Sequence, residues 1–356
     1  MTAPSRRYDG QTEESVLERV EQARRRRPRV REDHVTLAHG AGGRSSRALT
    51  EAVFLEAFDN PALAELEDQA VLAIGGHRLA FTTDSFVVSP LFFPGGSIGD
   101  LAVSGARPRY LSAGFIIEEG MPVADLRRIV ADMRAAAAAA GVEIVTGDTK
   151  VVEHGKGDGC YINTAGVGLI ERDVELGARF ARPGDAVLVS GPIGEHGITI
   201  MLCRGELDIE SDITSDTASL HGLTADLLDA APGVRCLRDA TRGGVATVLN
   251  EIAVAAGVGV RIDENAIPLR PDVVGACEVL GIDPLYVACE GRMVVVVDEA
   301  QADAALAAMR AHPLGKDAAR IGAVAPDPVG NVLMDTTFGG TRIVDVLVGD
   351  PLPRIC

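Results

Sequence analysis

The chain has 356 residues, 47% of them hydrophobic and 24% charged, which suits about two domains with ordinary buried cores. Its formal net charge of −17 argues against binding to nucleic acid or to an acidic membrane surface. No apolar run approaches the roughly 18 residues of a membrane span. The six cysteines form no C-x-x-C pair, which argues against metal knuckles and disulfide frameworks and favours a reducing cytoplasm.

The first part of the chain is predicted to contain a glycine loop behind a disordered extension. Residues 1–33 are polar and rich in arginine, which is typical of disorder. A loop at 39–43 then precedes a helical pattern over 48–58, and a glycine loop that opens a helix can approach a phosphate group. An ordinary turn explains this loop about as well, and a Walker A motif is absent. The glycines concerned are Gly40, Gly42 and Gly43.

Strands and helices alternate along the rest of the chain. Apolar runs predict strands at residues 79–81, 142–145, 162–170, 186–190 and 293–297. Helical patterns occupy residues 48–58, 123–140, 220–228 and a stretch from 245 onward. This alternation in both halves predicts an α/β or α+β fold.

A turn sequence divides the two halves. Arg182-Pro183-Gly184-Asp185 combines a proline, a glycine and an aspartate, which is typical of a turn between units. We therefore predict an N-terminal domain at 34–181, a C-terminal α/β domain at 182–345 and a flexible tail at 346–356.

Three acidic residues follow apolar stretches that are predicted as strands, namely Asp84, Asp148 and Asp239. Each has a threonine within two residues, and carboxylates beside hydroxyls suit Mg²⁺, which prefers oxygen ligands and shares them with phosphates. Turn capping by Asp and Thr is the common explanation for a single loop of this kind. Three similar loops in one chain favour convergence on one site for magnesium and phosphate.

Two further residues are candidates for proton transfer. Lys150 is one of only three lysines among 34 basic residues, so a compact ammonium next to Asp148 suggests contact with phosphate or a proton-transfer role. A solvated loop lysine is the alternative. Glu290 precedes a strand that looks buried and is a candidate base, although a surface glutamate at a strand start explains the pattern equally well.

The chain ends in Asp350-Pro351-Leu352-Pro353-Arg354-Ile355-Cys356. The two prolines disfavour a helix and favour an extended arm. A thiol on such an arm can be loaded at one place and used at another, whereas a frayed terminus that happens to end in cysteine is the alternative. The α-carboxylate of Cys356 disfavours its thiolate, and Arg354 would offset that charge.

Together these motifs resemble the HypE family of hydrogenase maturation factors, within the superfamily of aminoimidazole ribonucleotide synthetase and selenophosphate synthetase. The resemblance spans about residues 37–356. It rests on the motifs at 39–43, 83–85, 91–96, 146–150, 238–244, 312–316 and 351–356. The terminal motif is specific to the family, whereas the acidic loops alone indicate only the superfamily.

The resemblance implies a two-domain synthetase-superfamily fold and a homodimer whose N-terminal strands form a shared barrel. It also implies an ATP-dependent carbamoyl dehydratase. In this reaction HypF carbamoylates Cys356, and ATP with Mg²⁺ then drives dehydration of the thiocarbamate to a thiocyanate. The cyanide passes to iron on the HypC–HypD complex, for the [NiFe] hydrogenase centre. The implied protein is cytoplasmic and binds neither nucleic acid nor membrane.

The resemblance also implies roles for individual residues of this chain. The implied catalytic residues are Cys356, Lys150, Glu290 and Arg354. The implied ATP-binding residues are Gly40, Gly42, Gly43, Thr149, Thr241, Arg242 and Gly243. The implied metal ligands are Asp84, Asp100, Asp148 and Asp239.

One segment departs from the family pattern. After Phe92-Phe93-Pro94-Gly95-Gly96 the family continues through a helical stretch to an Asn-Asp pair. Here the chain runs through Gly99 and Asp100 directly into Leu101. Asp100 takes the place of the family's aspartate and Gly99 that of its asparagine, which puts metal and nucleotide binding in question.

The sequence leaves two other functions open. One is a small-molecule ATP-dependent ligase or kinase of the same superfamily with a decorative tail. Selenophosphate synthetases usually have a reactive cysteine or selenocysteine in the glycine loop, and residues 39–43 contain none. The other is a non-catalytic carrier that holds a group on Cys356 without using ATP. ATP hydrolysis that depends on a carbamoylated tail would distinguish the dehydratase from the carrier.

Overall fold

The computed structural model describes residues 30, 32–58, 60–87, 103–205 and 211–347. The strands are β1 Ala70–Ile74, β2 His77–Phe86, β3 Arg107–Glu118, β4 Glu143–Val152, β5 Cys160–Ile170, β6 Ala186–Val189, β7 Val234–Asp239, β8 Gly259–Asp263, β9 Met293–Val297, β10 Ala319–Ala325, β11 Val332–Asp335 and β12 Thr341–Val344. The α-helices are α1 Arg44–Leu49, α2 Pro61–Ala64, α3 Val123–Ala139, α4 Glu195–Cys203, α5 His221–Ala230, α6 Gly244–Ala256, α7 Pro271–Leu280 and α8 Ala302–Ala311.

Short helical segments supplement these elements. The chain continues from α1 through a π-helical turn, Thr50–Leu55, and a last α-turn, Glu56–Phe58. The 3₁₀ turns are Leu37–Gly40, Ala178–Phe180, Glu264–Ala266, Pro284–Tyr286, Glu299–Gln301 and Pro313–Gly315.

The predicted mixed α/β class is confirmed. Almost all of the predicted extension at 1–33, together with Asp100, Arg354 and Cys356, lies outside the described residues.

The first sheet has the strand order β1-β2-β5-β3-β4 and packs one face against α3. Residues of β5 alternate between buried and exposed, as expected for a strand with one covered face. Cys160 and Ile162 of β5 pack with Ile129 and Met133 of α3. The helix predicted over 123–140 is therefore present and covers one side of this sheet, with Ile129 and Ala137 as its buried residues.

Two of the three predicted acidic loops are instead parts of strands. Asp84 lies within β2 and Asp148 lies within β4, while Asp239 is the last residue of β7. The strand containing Asp148 continues because β3 provides a hydrogen-bonded partner as far as Val152. Its threonines and valines also favour extended backbone.

The helix predicted over 48–58 begins earlier, at Arg44. Its polar first turn belongs to the helix because the Ser46 hydroxyl accepts the Gly42 N–H at 2.9 Å. The turn predicted after the first half is present: Asp185 N–H donates to the Arg182 carbonyl at 3.0 Å, and the Asp185 carboxylate accepts the Arg182 N–H at 2.7 Å.

The second sheet has seven strands in the order β12-β11-β8-β10-β6-β9-β7. β6 and β9 lie inside it and are buried along their whole length, which explains their uninterrupted apolar sequences. On one face Val187 and Val294 pack in a core with α6, and on the other Leu188 and Val295 pack with α5 and α8. A smaller core joins α4 and α7 around Val287.

Within the described ranges, no helix combines the length and the apolar character that crossing a bilayer requires.

Candidate functional site

The glycine loop lies against the start of α6. Gly42 packs so closely on Arg242 that an added Cβ would come within 2.5 Å of the Arg242 Cβ. Helix α6 begins after Gly243, whose φ of +75° lies in the left-handed region that favours glycine. The first N–H groups of a helix point outward and carry the positive end of its dipole. The loop and the helix start therefore form a site suited to an anion such as phosphate.

The last described residues of the chain end beside this loop. The Leu347 carbonyl accepts the Arg44 N–H at 3.0 Å, and an added Cβ on Gly43 would lie 2.5 Å from that carbonyl oxygen. The Tyr286 hydroxyl donates to the Asp345 carbonyl at 2.8 Å, and Arg44 forms an ion pair with the Asp345 carboxylate at 3.0 Å. The tail that follows therefore starts at the edge of the site.

Carboxylates crowd the space next to the loop. Burial raises the pKa of the Asp84 carboxyl; Arg242 opposes that rise and Asp239 adds to it. Burial and the charge of Asp239 also raise the pKa of Asp68 well above its ordinary value, against the opposing effect of Arg238. The structure thus brings Asp84 and Asp239 together, as the sequence predicts, and adds Asp68, which sequence reasoning missed.

These carboxylates fit a magnesium ion. The Thr241 hydroxyl donates a short hydrogen bond to Asp239 Oδ2. Asp239 Oδ1 is buried and accepts no hydrogen bond from the described residues, while Asp68 Oδ2 lies 3.0 Å from Arg238 Nε. The described part of the chain has no cluster of three His, Cys, Asp or Glu side chains already arranged to hold a metal. A magnesium here would take one or two carboxylates and complete its shell with water or phosphate oxygens, as Mg²⁺ commonly does.

Asp148 lies on the opposite face of the first sheet from Asp84. In the strand registers Asp84 is paired with Thr164, and Thr164 is paired with Ala113. Ala113 is in turn paired with Gly147, so the next residue, Asp148, points to the other face. β4 is also three strands away from β2, which is about 14 Å. Within one copy of the chain, the structure does not bring these two carboxylates together.

Thr149 and Lys150 lie with Asp148 on β4, and all three are exposed. The Asp148 carboxylate accepts the Thr149 N–H at 2.8 Å. Lys150 shares the sheet face of Asp148, because it lies two residues further along the same strand. Asp148 and Lys150 therefore form a second set of candidate residues on the sheet face that is not covered by α3, whereas Thr149 between them points to the other face.

Glu290 lies in a loop bonded to the segment that follows the β7 carboxylate. Cys289 N–H donates to the Ala240 carbonyl at 2.9 Å, and Ala240 N–H donates to the Arg292 carbonyl at 3.1 Å. The backbone N–H of Glu290 itself donates to Asp216 Oδ1 at 2.9 Å. These bonds join the Glu290 loop to the residue after Asp239, so the backbone of Glu290 is held in place.

The Glu290 side chain faces a buried histidine. His196 Nε2 lies 4.0 Å from Glu290 Oε1, and His196 Nδ1 lies 2.8 Å from the Ser215 hydroxyl. Sequence reasoning assigned no role to His196 because the histidines show no metal-ligand spacing.

Comparison with known proteins identifies the family of this chain. The AIR synthase related protein family matches with its N-terminal domain over residues 66–170 and its C-terminal domain over residues 182–335. The carbamoyl dehydratase HypE of Rhodobacter capsulatus is 56% identical over 341 residues, covering 92% of this chain and 99% of the relative. This chain belongs to the HypE family of carbamoyl dehydratases. The predicted family and enzyme class are confirmed.

Two solved structures of HypE support the same placement. A HypE–HypF complex matches with a TM-score of 0.79 at 48% identity, covering 84% of this chain and 100% of that one. HypE in complex with ATP matches with a TM-score of 0.76 at 46% identity, covering 91% of this chain and 100% of that one. The domain limits drawn from the sequence stay a prediction, as do the roles of the individual site residues.

Sequence reasoning missed both Asp68 and Asp216, for different reasons. Asp68 lies in a short polar run, Glu67-Asp68-Gln69, directly before the apolar residues of β1, whereas the selected acidic residues follow apolar stretches. Asp216 lies in an irregular segment between α4 and α5, where no periodic pattern marks it. The structure identifies Asp216 as part of the site through its hydrogen bond from the Glu290 backbone N–H.

The cysteines described by the structure differ in accessibility. Burial raises the pKa of the Cys160, Cys236 and Cys289 thiols, and it raises that of Cys277 to about 11. These four thiols are buried, whereas Cys203 is exposed. Among the described cysteines, Cys203 is therefore the one that a reagent reaches most easily.

We predict a pH-dependent effect of Asp216 on stability. Burial, opposed by Arg292, raises the pKa of this carboxyl to about 6 from 3.8. Its contribution to stability is therefore complete below pH 4 and is lost as the pH rises through 6. Relative to Asp216→Asn, the unfolding free energy of the parent should fall by about 3 kcal/mol between pH 4 and pH 7. Urea unfolding of both proteins across this range measures the difference.

Asp335→Asn is the matched control. Arg261 lowers the pKa of this exposed carboxyl, so its contribution changes only below pH 4. The difference between the parent and this variant should stay constant from pH 4 to pH 7. A constant difference for Asp216→Asn as well would contradict the assignment.

Proposed function

We propose that this chain converts an S-carbamoyl group on its own Cys356 to a thiocyanate, with consumption of ATP, to supply the cyanide ligand of the [NiFe] hydrogenase iron. Membership in the HypE family carries the reaction class. The observation that supports this site is the position of residues 345–347, which we call the tail root. Residues 345–347 lie against the glycine loop, beside the crowded carboxylates.

The reach of the tail supports this proposal. Nine residues separate Leu347 from Cys356, counting the cysteine, and an extended chain of that length spans at most roughly 30 Å. The tail root is already in contact with Gly43, and the neighbouring Gly42 packs on Arg242. A thiol on this arm would therefore reach both the start of α6 and the Glu290 loop.

We assign the ATP phosphates to the glycine loop and the start of α6, with Gly40, Gly42, Gly43, Thr241, Arg242 and Gly243 as the contributing residues. The solved HypE complex with ATP supports ATP as the substrate. Asp84, Asp239 and Asp68 would hold magnesium, and Asp100 stays a proposed ligand outside the described residues. Bound Mg²⁺ would stabilise negative charge on the phosphoryl group during transfer.

The reaction balances without an oxidant or a reductant. The carbamoyl oxygen takes the γ-phosphoryl group, and ADP leaves. The carbon–oxygen bond then breaks, phosphate leaves with its electron pair, and nitrogen loses two protons as the C≡N bond forms. Phosphorylation is needed because an amide oxygen is a poor leaving group. Glu290 and Lys150 are the proposed proton acceptors, and Arg354 would offset the α-carboxylate beside the Cys356 thiol.

The proposed partners follow from the family. HypF, which forms a solved complex with HypE, would donate the carbamoyl group, and a HypC–HypD complex would accept the cyanide. We also propose a homodimer in which the first sheets of two copies form a shared barrel.

The open face of the first sheet supports the homodimer. Phe81, Tyr110 and Ile116 share this face and are 43%, 51% and 46% exposed. Helix α3 covers the other face, and a second copy would shield these side chains from water. Asp148 and Lys150 lie on the same open face, so dimerisation offers a route by which they contribute to nucleotide binding.

We predict that Asp68→Asn weakens Mg²⁺-dependent ATP binding at least about tenfold, because it removes a carboxylate next to Asp239. Asp148→Asn should also weaken binding, and only in the dimer. Titration calorimetry with and without Mg²⁺ measures both effects. Unchanged affinity in Asp68→Asn would exclude this carboxylate from the site, and unchanged affinity in Asp148→Asn would exclude the second set.

We predict that Cys356→Ser abolishes both the mass gain of carbamoylation and the later loss of water, while ATP affinity and the thermal unfolding midpoint stay unchanged. Serine differs from cysteine by a single atom, so the expected defect is loss of the nucleophile and not loss of packing. Intact-mass spectrometry after incubation with HypF, carbamoyl phosphate and ATP measures each step.

Cys203→Ser is the matched control, because Cys203 is the exposed thiol among the described cysteines. This variant should gain and lose mass like the parent. An adduct that disappears with Cys203 instead of Cys356 would overturn the proposal. Carbamoylation without any ATP-driven loss of water in the parent would favour the carrier.

We predict that Phe81→Lys converts the dimer to a monomer, because it places a charge on the face that a second copy would cover. Val279→Lys is the control, since Val279 is 70% exposed on α7, far along the chain from the first sheet. Light scattering coupled to size-exclusion chromatography gives the mass. A parent protein that is monomeric at every concentration tested would rule out the homodimer.

A further inference from the structure

His196 is built into the wall of the site next to Glu290. It lies in the first turn of α4 and is only 2% exposed. The helix approaches the Glu290 loop closely because Gly197 faces Val287, where an added Cβ would lie 2.5 Å from a valine methyl group. Gly197 N–H also donates to the Ala288 carbonyl at 3.1 Å. The position of the imidazole relative to Glu290 is therefore fixed by backbone contacts.

Hydroxyl groups hold the other side of the ring. The Ser215 hydroxyl lies 2.8 Å from His196 Nδ1 and 2.5 Å from the Thr217 hydroxyl, and it accepts the Thr217 N–H at 3.2 Å. When Ser215 donates its proton to Nδ1, the ring proton resides on Nε2. Nε2 is the atom that lies 4.0 Å from Glu290 Oε1. This tautomer aims an N–H at the glutamate.

The other charged groups around the ring are already paired among themselves. Glu195, the neighbour of His196 on α4, contacts Arg292 at 2.7 Å and Arg270 at 3.4 Å. Arg292 also lies 3.8 Å from Asp216, which in turn accepts the Glu290 N–H. Within the described ranges, Glu290 is the carboxylate found 4.0 Å from the imidazole.

We propose that His196 is a positioning residue that orients the Glu290 carboxylate and keeps it charged, so that it can accept a proton from the carbamoyl nitrogen. This inference rests on the proposed dehydration and deepens it, because it favours Glu290 over Lys150 as the base. The 4.0 Å separation is longer than a hydrogen bond, and hydrogen bonds at catalytic sites commonly shorten when substrate binds.

The test compares two variants with a matched control. His196→Leu removes the donor, whereas His196→Gln keeps an amide N–H that reaches toward Glu290. His221→Leu is the control, because His221 has a similar serine contact, with Ser219 at 2.9 Å, on the neighbouring helix. All three are first checked for unchanged ATP affinity and thermal unfolding.

The first readout does not depend on activity. The carboxyl of Glu290 is titrated by carbon-13 NMR, with the signal assigned by its loss in Glu290→Gln. In His196→Leu the titration midpoint should move to higher pH, while in His196→Gln and His221→Leu it should stay near that of the parent. A midpoint that is the same in His196→Leu and the parent would overturn the inference, whatever the enzyme does.

The second readout is single-turnover loss of water from protein that is already carbamoylated on Cys356. His196→Leu should be slower by about tenfold to a hundredfold, with the acidic limb of its pH profile moved upward. His196→Gln should recover most of the rate. Full activity in His196→Leu would also overturn the inference. If the parent loses no water although the NMR shift is present, the proposed function fails while the pairing of His196 with Glu290 stands.

Discussion

The site depends on one buried cation, Arg238, which is surrounded by carboxylates from both halves of the chain. Its guanidinium contacts Glu67 at 2.9 Å, Asp68 at 3.0 Å and Glu251 at 2.6 Å. Burial alone would lower the pKa of Arg238, but these carboxylates outweigh it and raise that pKa. Removing one partner from such a buried group costs about 3–5 kcal/mol, because it leaves charge without compensation. The contact therefore fixes the approach to β1 against β7 and α6.

The same ion pairs leave the site with too much negative charge. Arg238 supplies one positive charge to three carboxylates, while Asp239 follows it in sequence and Asp84 lies close by. Burial, together with the charge of Asp239, raises the pKa of Asp68, Asp84 and Glu251. Under the proposed function, a divalent cation would relieve the repulsion between these carboxylates. The arrangement would then favour Mg²⁺ before nucleotide binds, and the nucleotide phosphates would supply the remaining ligands.

The extent to which sequence predicts this structure differs between its parts. The strands predicted at 162–170 and 293–297 and the helix predicted over 123–140 each reflect a local pattern of apolar residues, so sequence reasoning identified them as β5, β9 and α3. The strand containing Asp148 was misjudged because β4 gains its extended form from pairing with β3, which is not a local property. Strand register also decides that Asp84 and Asp148 point to opposite faces. No single-sequence pattern reveals that arrangement.

The sequence does not reveal which residues surround Glu290, for a different reason. Asp216 and His196 reach it from segments that are distant in sequence, and neither carries a motif of its own. Their contacts depend on close approaches that glycine permits, such as Gly291, where an added Cβ would lie 1.8 Å from the Asp216 carbonyl oxygen. A glycine marks where two backbones meet, but it does not identify the partner. The sequence could therefore propose Glu290 as a base and leave its surroundings to the fold.

In the proposed reaction, the reacting group is attached to the protein by its own C-terminal segment. A reactive group tethered by a short flexible arm has an effective concentration in roughly the millimolar range, provided the arm can span the distance. The contacts of Arg44 and Tyr286 with the segment 345–347 hold the last described residues beside the glycine loop. Under the proposed function, carbamoylation of Cys356 would prevent formation of a thiolate, whose charge Asp84 and Asp239 would repel. A carbamoylated cysteine would therefore suit this acidic site better than a thiolate, which favours entry after carbamoylation rather than before it.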